Sequence, residues 1–408
     1  MSITSFMENL LDGIEVEWRP LSNALVRTKG TKITAGQMKE LHKDGAPVKI
    51  FAGGRTVAFV NYEDIPAQDI NRKPSIIVKS RGIIEFEYYE EPFSHKNEMW
   101  SYHSNKDEIS IKYIYHFLKL NESHFQNIGG KMQMPQIATP DTDKFLVPIP
   151  CPDNPKKSME VQAEIVRILD AFSAMTAELT AELNLRKKQY NYYRDQLLSF
   201  EEGEVEWKTL PEVARDFGRG KSKHRPRNDA RLYGGDIPFI QTGDIRNASH
   251  IITQYGQTYN ELGLKQSKLW PKGTLCITIA ANIAETAILG FDACFPDSVI
   301  GFVADPQQTS SDYVEYLLQS TKNQLEAKGR EKSSAQSNIN LATFEQLKLP
   351  FPTLEKQARI VAMLNKFDML TNSITEGLPC EIELRQKQYE YYRDLLLSFP
   401  KPDSEVTA

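Results

Sequence analysis

The chain has 408 residues, 40% of them hydrophobic, which suffices for two or three domains with ordinary cores. A formal charge of −5 excludes a uniformly basic nucleic-acid coat and leaves room only for a local basic patch. Its four cysteines form no CxxC pair, and neither a secretory signal nor an apolar run of about 18 residues occurs, so no zinc site, no disulfide framework and a cytoplasmic location are expected.

The first distinctive segment is "EVEWRPL" at 15–21, which returns as "EVEWKTL" at 204–210. Between 22 and 150 lies a block of mixed composition. Near its end "GGKMQMPQ" (129–136) carries Lys131, Gln133 and Gln136, weak candidates for DNA contact. The block closes on "VPIPCP" (147–152), a proline pair that ends a domain and releases the chain into a helix. That helix starts with "QAEIVRILDAF" (162–172), where Val161, Ile165, Ile168, Phe172, Met175 and Leu179 keep a heptad spacing. The short repeat "TAELTAEL" (176–183) follows. Thr176, Leu179, Thr180 and Leu183 mark it as a four-residue insertion that shifts the seam while lengthening the helix, and hence as a spacer. "LRKKQYNYYRDQLLSF" (185–200) completes the arm. Tyr190 and Tyr193 are expected in the seam, with Tyr192 and Arg194 facing outward as a docking surface.

The second lead-in, at 204–210, opens another block. It contains "RDFGRGKSKHRPRNDAR" (215–231), a basic loop in an acidic protein, and Arg219, Lys221, Lys223, Arg225 and Arg227 are its candidate phosphate contacts. Its GKS does not make a nucleotide-binding loop, because the required first glycine falls on Arg215. "EKSSAQSNIN" (331–340) offers Gln336, Asn338 and Asn340, amides suited either to reading adenine or to capping the helix that follows. "LPFPTL" (349–354) repeats the proline exit, and "QARIVAMLNKF" (357–367) repeats the helix start. "EGLP" (376–379) then splits the second arm before "LRQKQYEYYRDLLLSF" (384–399), which matches 185–200 at 13 of 16 positions. Tyr391 and Arg393 are the counterparts of Tyr192 and Arg194. No catalytic motif appears, and the lone histidines are expected to be packed or exposed rather than catalytic.

The chain therefore reads as lead-in, variable block, exit and helix, all of it twice. The related helices are expected to pack antiparallel with pseudo-twofold symmetry, placing the two blocks at opposite ends of a rod. This pattern, carried by the two helix repeats, "GEVEWKTL", "GGDIPFIQTGDI" and "AQSNINLATFEQLKLPFP", resembles the specificity subunit of type I restriction-modification enzymes, most closely the C subclass, over nearly the full chain. The resemblance implies two α/β (α+β) target-recognition domains, each reading half of a bipartite asymmetric DNA site. The boundaries expected are 1–157 for the first recognition domain, 158–200 for the central spacer helix, 201–352 for the second recognition domain and 353–408 for the C-terminal spacer and tail. It also implies double-stranded DNA, two modification subunits and restriction subunits as partners, no catalysis by this chain, and S-adenosylmethionine, ATP and Mg held by the partners. A coiled-coil scaffold that binds no DNA is the competing reading. The first block departs from the pattern in offering no legible base contacts.

Overall fold

A computed structural model describes residues 13–130, 133–201, 203–226, 228–279, 284–331, 340–372 and 376–400. The chain divides into two compact units. Unit 1 takes Met1–Ala177 and Leu384–Ala408, and unit 2 takes Glu178–Glu383. Each unit thus contains one variable block, the first half of the helix that follows it, and the second half of the other repeated helix.

In unit 1 the main sheet runs Val26–Thr28, Trp100–His103, Ser75–Lys79, Glu85–Tyr89, all antiparallel. Its central strand, "SIIVK", is rich in β-branched residues and buried throughout, as a strand covered on both faces should be. A three-stranded sheet places Val48–Phe51 between Val57–Val60 and Phe93–His95, with the latter pairing parallel. The helix Ile111–Leu120 covers the main sheet with Tyr113, Ile114, Phe117 and Leu118 buried. Unit 2 repeats this plan. Ala214–Arg219, Val299–Ala304, Leu275–Thr278 and Thr286–Leu289 stand in the same order, extended by Ile251–Ile252, and the parallel pairing recurs between Tyr233–Phe239 and Ala293–Cys294.

The repeated frame segments carry the strongest equivalence. The lead-in and the proline exit are strands that pair with each other, Val16–Pro20 with Leu146–Pro150 and Glu206–Thr209 with Lys348–Phe351. The expected exit is therefore a strand before it is an exit. A two-stranded ladder tolerates the prolines because half its backbone groups need no partner. Register is conserved, with Trp18 opposite Pro148 and Trp207 opposite Pro350. Tyr113 donates its hydroxyl to the Pro148 carbonyl at 3.1 Å, and Tyr313 does the same to Pro350 at 3.1 Å. A buried glutamine at the start of each helix stitches block to helix. Gln162 accepts from Ser110 N (2.8 Å) and donates to the Glu108 carbonyl (2.9 Å). Gln357 accepts from the Thr309 hydroxyl (2.9 Å) and donates to the Gln308 carbonyl (2.9 Å).

The helix Pro155–Leu197 is continuous through the TAEL repeat and begins three residues before the boundary at 158. The second arm is split into Leu354–Asn372 and Gly377–Leu396. Gly377 adopts a φ of +80°, which a residue with a Cβ resists, and Pro379 falls in the first turn, where its missing N–H costs nothing. Within unit 2 the helices are antiparallel, since Tyr193 stacks on Phe367 (5.9 Å) while Lys356 lies over Phe200 (4.7 Å). Unit 1 has the reciprocal stack, Phe172 on Tyr392 at 5.1 Å, and Leu396, Leu397 and Phe399 join the cluster that holds Val161 and Ile165.

Candidate nucleic-acid interface

The basic loop of unit 2 grows from the edge strand Ala214–Arg219 and is fastened along its length. At Gly220 the backbone passes so close to Phe295 that a Cβ would lie 2.3 Å from the Phe295 carbonyl, and Gly220 N donates to the Val299 carbonyl at 2.9 Å. Only glycine permits that approach. The Lys221 carbonyl accepts from the Ser267 hydroxyl (2.8 Å), Ser222 is buried, and His224 N donates to Gln266 Oε1 (3.0 Å). The segment reads as a fixed platform rather than a loose solvated connector.

On this platform the cations divide into two groups. Arg219, Lys221 and Lys223 are exposed and have no carboxylate partner among the described residues. Arg225 turns back on the loop and donates to the carbonyls of Ser222 (2.6 Å) and His224 (2.8 Å). Arg231 pairs with Asp229 (2.7 Å) and holds that carboxyl below the usual carboxylate range, with His224 also against it at 2.8 Å. Arg215 faces Asp305 at 3.8 Å. A strip of unpaired, backbone-anchored cations suits phosphate oxygens, whose charge is met without the cost of ordering a mobile loop. Arg227 lies outside the described residues.

The amide candidates are placed unevenly. Gln336 and Asn338 lie outside the described residues, as does Lys131. Asn340 caps the helix Leu341–Glu345, its Oδ1 accepting from Thr343 N (3.0 Å) and the Thr343 hydroxyl (2.9 Å), so this oxygen is already used for capping. Gln133 and Gln136 are exposed, and Gln136 pairs by its backbone with Arg81.

On the helices, Tyr192 and Tyr391 are 59% and 57% exposed, each set edge-on to its neighbouring tyrosine, Tyr193 or Tyr392. Their arginine companions correct the outward expectation. The Arg194 and Arg393 side chains are only 14% and 22% exposed, lying over the rings of Tyr190 (5.6 Å) and Tyr389 (5.8 Å) and pairing with Asp195 (2.8 Å) and Asp394 (2.6 Å). The reason is local: a residue four positions after a seam tyrosine sits over that tyrosine on a helix. In the spacer, the Thr176 hydroxyl donates to the Phe172 carbonyl (3.0 Å), while Leu179 and Leu183 are half-buried and Thr180 is exposed.

Sequence reasoning missed one buried charge cluster. His250 stands between Asp312 (3.1 Å) and Glu315 (2.5 Å) and stacks on Tyr316. The two carboxylates push its pKa up to about 10, and burial pushes the Glu315 carboxyl up. These residues are some 60 positions apart and share no motif, so only the periodicity of the helix Ser311–Glu331 hinted that they face one side.

Comparison with known proteins bears on these surfaces. The family model described as "Type I restriction modification DNA specificity domain" matches residues 37–186 and 204–384. The chain is 37% identical to the type I restriction enzyme EcoR124I/EcoR124II specificity subunit of Escherichia coli over 99% of both chains. It is 32% identical to the EcoprrI specificity subunit of the same organism, covering 92% of this chain and 93% of the relative. Among solved structures, the S subunit of a type I restriction-modification system from M. genitalium shares the fold, with a TM-score of 0.57 at 15% identity over 96% of this chain and 98% of that one.

Proposed function

The chain belongs to the family of type I restriction-modification DNA specificity subunits, and from that premise we propose how its two units divide the reading of DNA. As a member it is a non-catalytic subunit that confers DNA sequence specificity, which sets the scaffold reading aside. Residues 1–157 and 201–352 act as two target-recognition domains, each reading one half of a bipartite, asymmetric site. The helical segments 158–200 and 353–408 set the gap and dock two modification subunits, with the exposed Tyr192 and Tyr391 in the contact. S-adenosylmethionine, ATP and Mg belong to the modification and restriction subunits. Among the described residues no helix is long and apolar enough to cross a membrane.

One observation carries this reading: two frames equivalent in register and hydrogen bonding enclose blocks whose sequences scarcely correspond. A duplicated frame with divergent contents suits two different half-sites held at one fixed separation. Exchanging residues 22–150 for the block of a relative is expected to change one half of the methylated motif and leave the other intact. Motif sequencing in a host carrying the system reads the result, and a change in both halves would refute the division. Arg219, Lys221 and Lys223 supply phosphate contacts, and Gln336 and Asn338 remain proposed base readers.

The spacer proposal rests on the uninterrupted helix at TAEL. Four residues add about 6 Å at 1.5 Å per residue, against about 3.4 Å per base pair along each strand. Deleting Thr180–Leu183 is expected to shorten the non-specific gap by one or two base pairs with both half-sites unchanged. An active deletion variant that methylated at the original gap would remove this segment from the role.

A further inference from the structure

The first block lacks any sequence run like the basic loop, but its structure contains a counterpart. In unit 2 Gly218, the last residue but one of the strand Ala214–Arg219 from which the loop grows, lies opposite Gly301. In unit 1 the equivalent edge strand is Val26–Thr28, with Thr28 opposite Ser101 on the equivalent neighbour. Two residues beyond each of these positions stands a glycine without room for a side chain. A Cβ on Gly30 would lie 2.2 Å from the His95 carbonyl, as one on Gly220 would lie 2.3 Å from that of Phe295. His95 and Phe295 are themselves equivalent, each at or just past the end of the strand that pairs parallel in the smaller sheet. A buried hydroxyl follows in both units, Thr31 here and Ser222 there.

Exposed cations flank this pinned turn in both units. Unit 2 has Arg219, Lys221 and Lys223; unit 1 has Lys29 and Lys32, with one residue fewer between the glycine and the buried hydroxyl. Several of unit 1's other lysines are paired internally: Lys49 and Lys79 with Glu87, Lys96 with Glu98, Lys112 with Asp170 and Lys119 with Glu122. Lys29 and Lys32 have no carboxylate partner among the described residues, and Arg27, beside them, reaches Asp143 only at 3.7 Å. The cost of fixing the backbone is met by the close packing on His95 and by Thr31 N donating to the His95 carbonyl at 2.8 Å.

We propose that Lys29 and Lys32 form the DNA-phosphate contact of the first recognition block, the positional equivalent of Arg219, Lys221 and Lys223 in the second. The ligand is the phosphodiester backbone of double-stranded DNA, engaged without base preference, so the pair fixes how the first block sits on its half-site while other residues read the bases. The proposal rests on the reading of the unit 2 loop as a phosphate contact.

The test measures DNA affinity against salt for the full chain assembled with its modification subunits. Each lost phosphate contact lowers the slope of log affinity on log salt by roughly one. Lys29→Ala with Lys32→Ala is expected to weaken binding to all sequences, lower the slope by about two and leave the methylated motif unchanged. Lys29→Arg with Lys32→Arg is expected to restore the slope, and Lys39→Ala, an exposed helical lysine of the same unit, to leave it unchanged. An unaltered slope in the double alanine variant, or an equal loss in Lys39→Ala, overturns the proposal. A parallel variant with Arg219, Lys221 and Lys223 changed to alanine separates the two levels. If it lowers the slope while the unit 1 variant does not, the equivalence fails and the unit 2 reading stands; if neither does, the unit 2 reading fails as well.

Discussion

The same helix, in the same register, covers the main sheet in both units, yet its charge is reversed. In unit 1 the face presents Lys112, Tyr115 and His116. Lys112 pairs with Asp170 (2.8 Å) and lies over the Tyr88 ring, and His116 meets the same aspartate at 3.1 Å. In unit 2 the corresponding positions are Asp312, Glu315 and Tyr316, and the cation is supplied from outside the helix by His250. Tyr316 meets Asn365 where His116 meets Asp170. The frame conserves where polar partners stand and not which sign each one carries. A contact that only has to hold helix to sheet can be rebuilt with opposite charges, whereas Gln162 and Gln357, which bridge fixed backbone groups, keep their identity.

The largest effect expected from this contrast follows removal of the unit 2 cation. His250→Ala leaves the fully buried Glu315 carboxyl without its counter-charge, and breaking a buried pair costs about 3–5 kcal/mol. Denaturant unfolding followed by peptide-resolved hydrogen exchange should localise the loss to unit 2. A cost below about 1 kcal/mol would mean that the cluster carries no net charge to compensate.

Acidity distinguishes the units next. Burial pushes His95 in unit 1 down to about 4, so the unfolded chain takes up a proton near 6.5 that the fold resists. Its stability contribution is present above pH 6.5 and is lost as pH falls towards 4, about 3 kcal/mol in full. His250 runs the other way: its folded pKa is raised to about 10, so its contribution is complete below pH 6.5 and is lost as pH rises through 10. Lowering pH from 7 to 5 should therefore raise exchange in unit 1 before unit 2, and a His95→Asn variant should flatten that response. Simultaneous loosening of both units would contradict the assignment.

The conserved pair should behave alike. Gln162→Leu and Gln357→Leu each strand buried backbone groups, at about 1–3 kcal/mol apiece, and calorimetry should give matching losses. Unequal costs would show that the two frames are less equivalent than their hydrogen bonds indicate. Smallest is the reciprocal stack: Phe172→Leu in unit 1 and Phe367→Leu in unit 2 should each lose the stacking increment of about 0.5–1.5 kcal/mol. The unit 2 loss should be the lesser, because its centroids stand farther apart (5.9 against 5.1 Å).

Much of the frame was legible in the sequence. The buried seam position of Tyr190 and the break at Gly377 and Pro379 follow from spacing, because helices and turns are decided by neighbours within about four residues. The basic loop follows from composition, whereas Tyr193 stays 40% exposed at the edge of the seam. The inward turn of Arg194 and Arg393 follows from the same four-residue rule, since each stands four residues after the tyrosine whose ring it covers. The proline exits were harder to read, since a strand with alternate prolines lacks the usual strand signal and is held by a lead-in more than a hundred residues earlier. The loop at Lys29 and Lys32 was not legible at all. Two lysines around "GT" are ordinary composition, and only the approach of Gly30 to His95 marks them as the counterpart of a loop that composition alone had exposed in the second block.

The amino-acid sequence by itself determined that this chain is a duplicated frame of lead-in, exit and helix around two unlike blocks, since heptads, caps and repeats are written in local order. Tertiary structure alone decided which half-helices complete which unit, which lysines stay unpaired and which histidine is charged. Those outcomes depend on desolvation and on partners far along the chain. His95 and His250 are chemically identical side chains, and what separates their proton affinities is that one is buried against the Lys96 carbonyl and the Ser101 hydroxyl while the other faces two carboxylates.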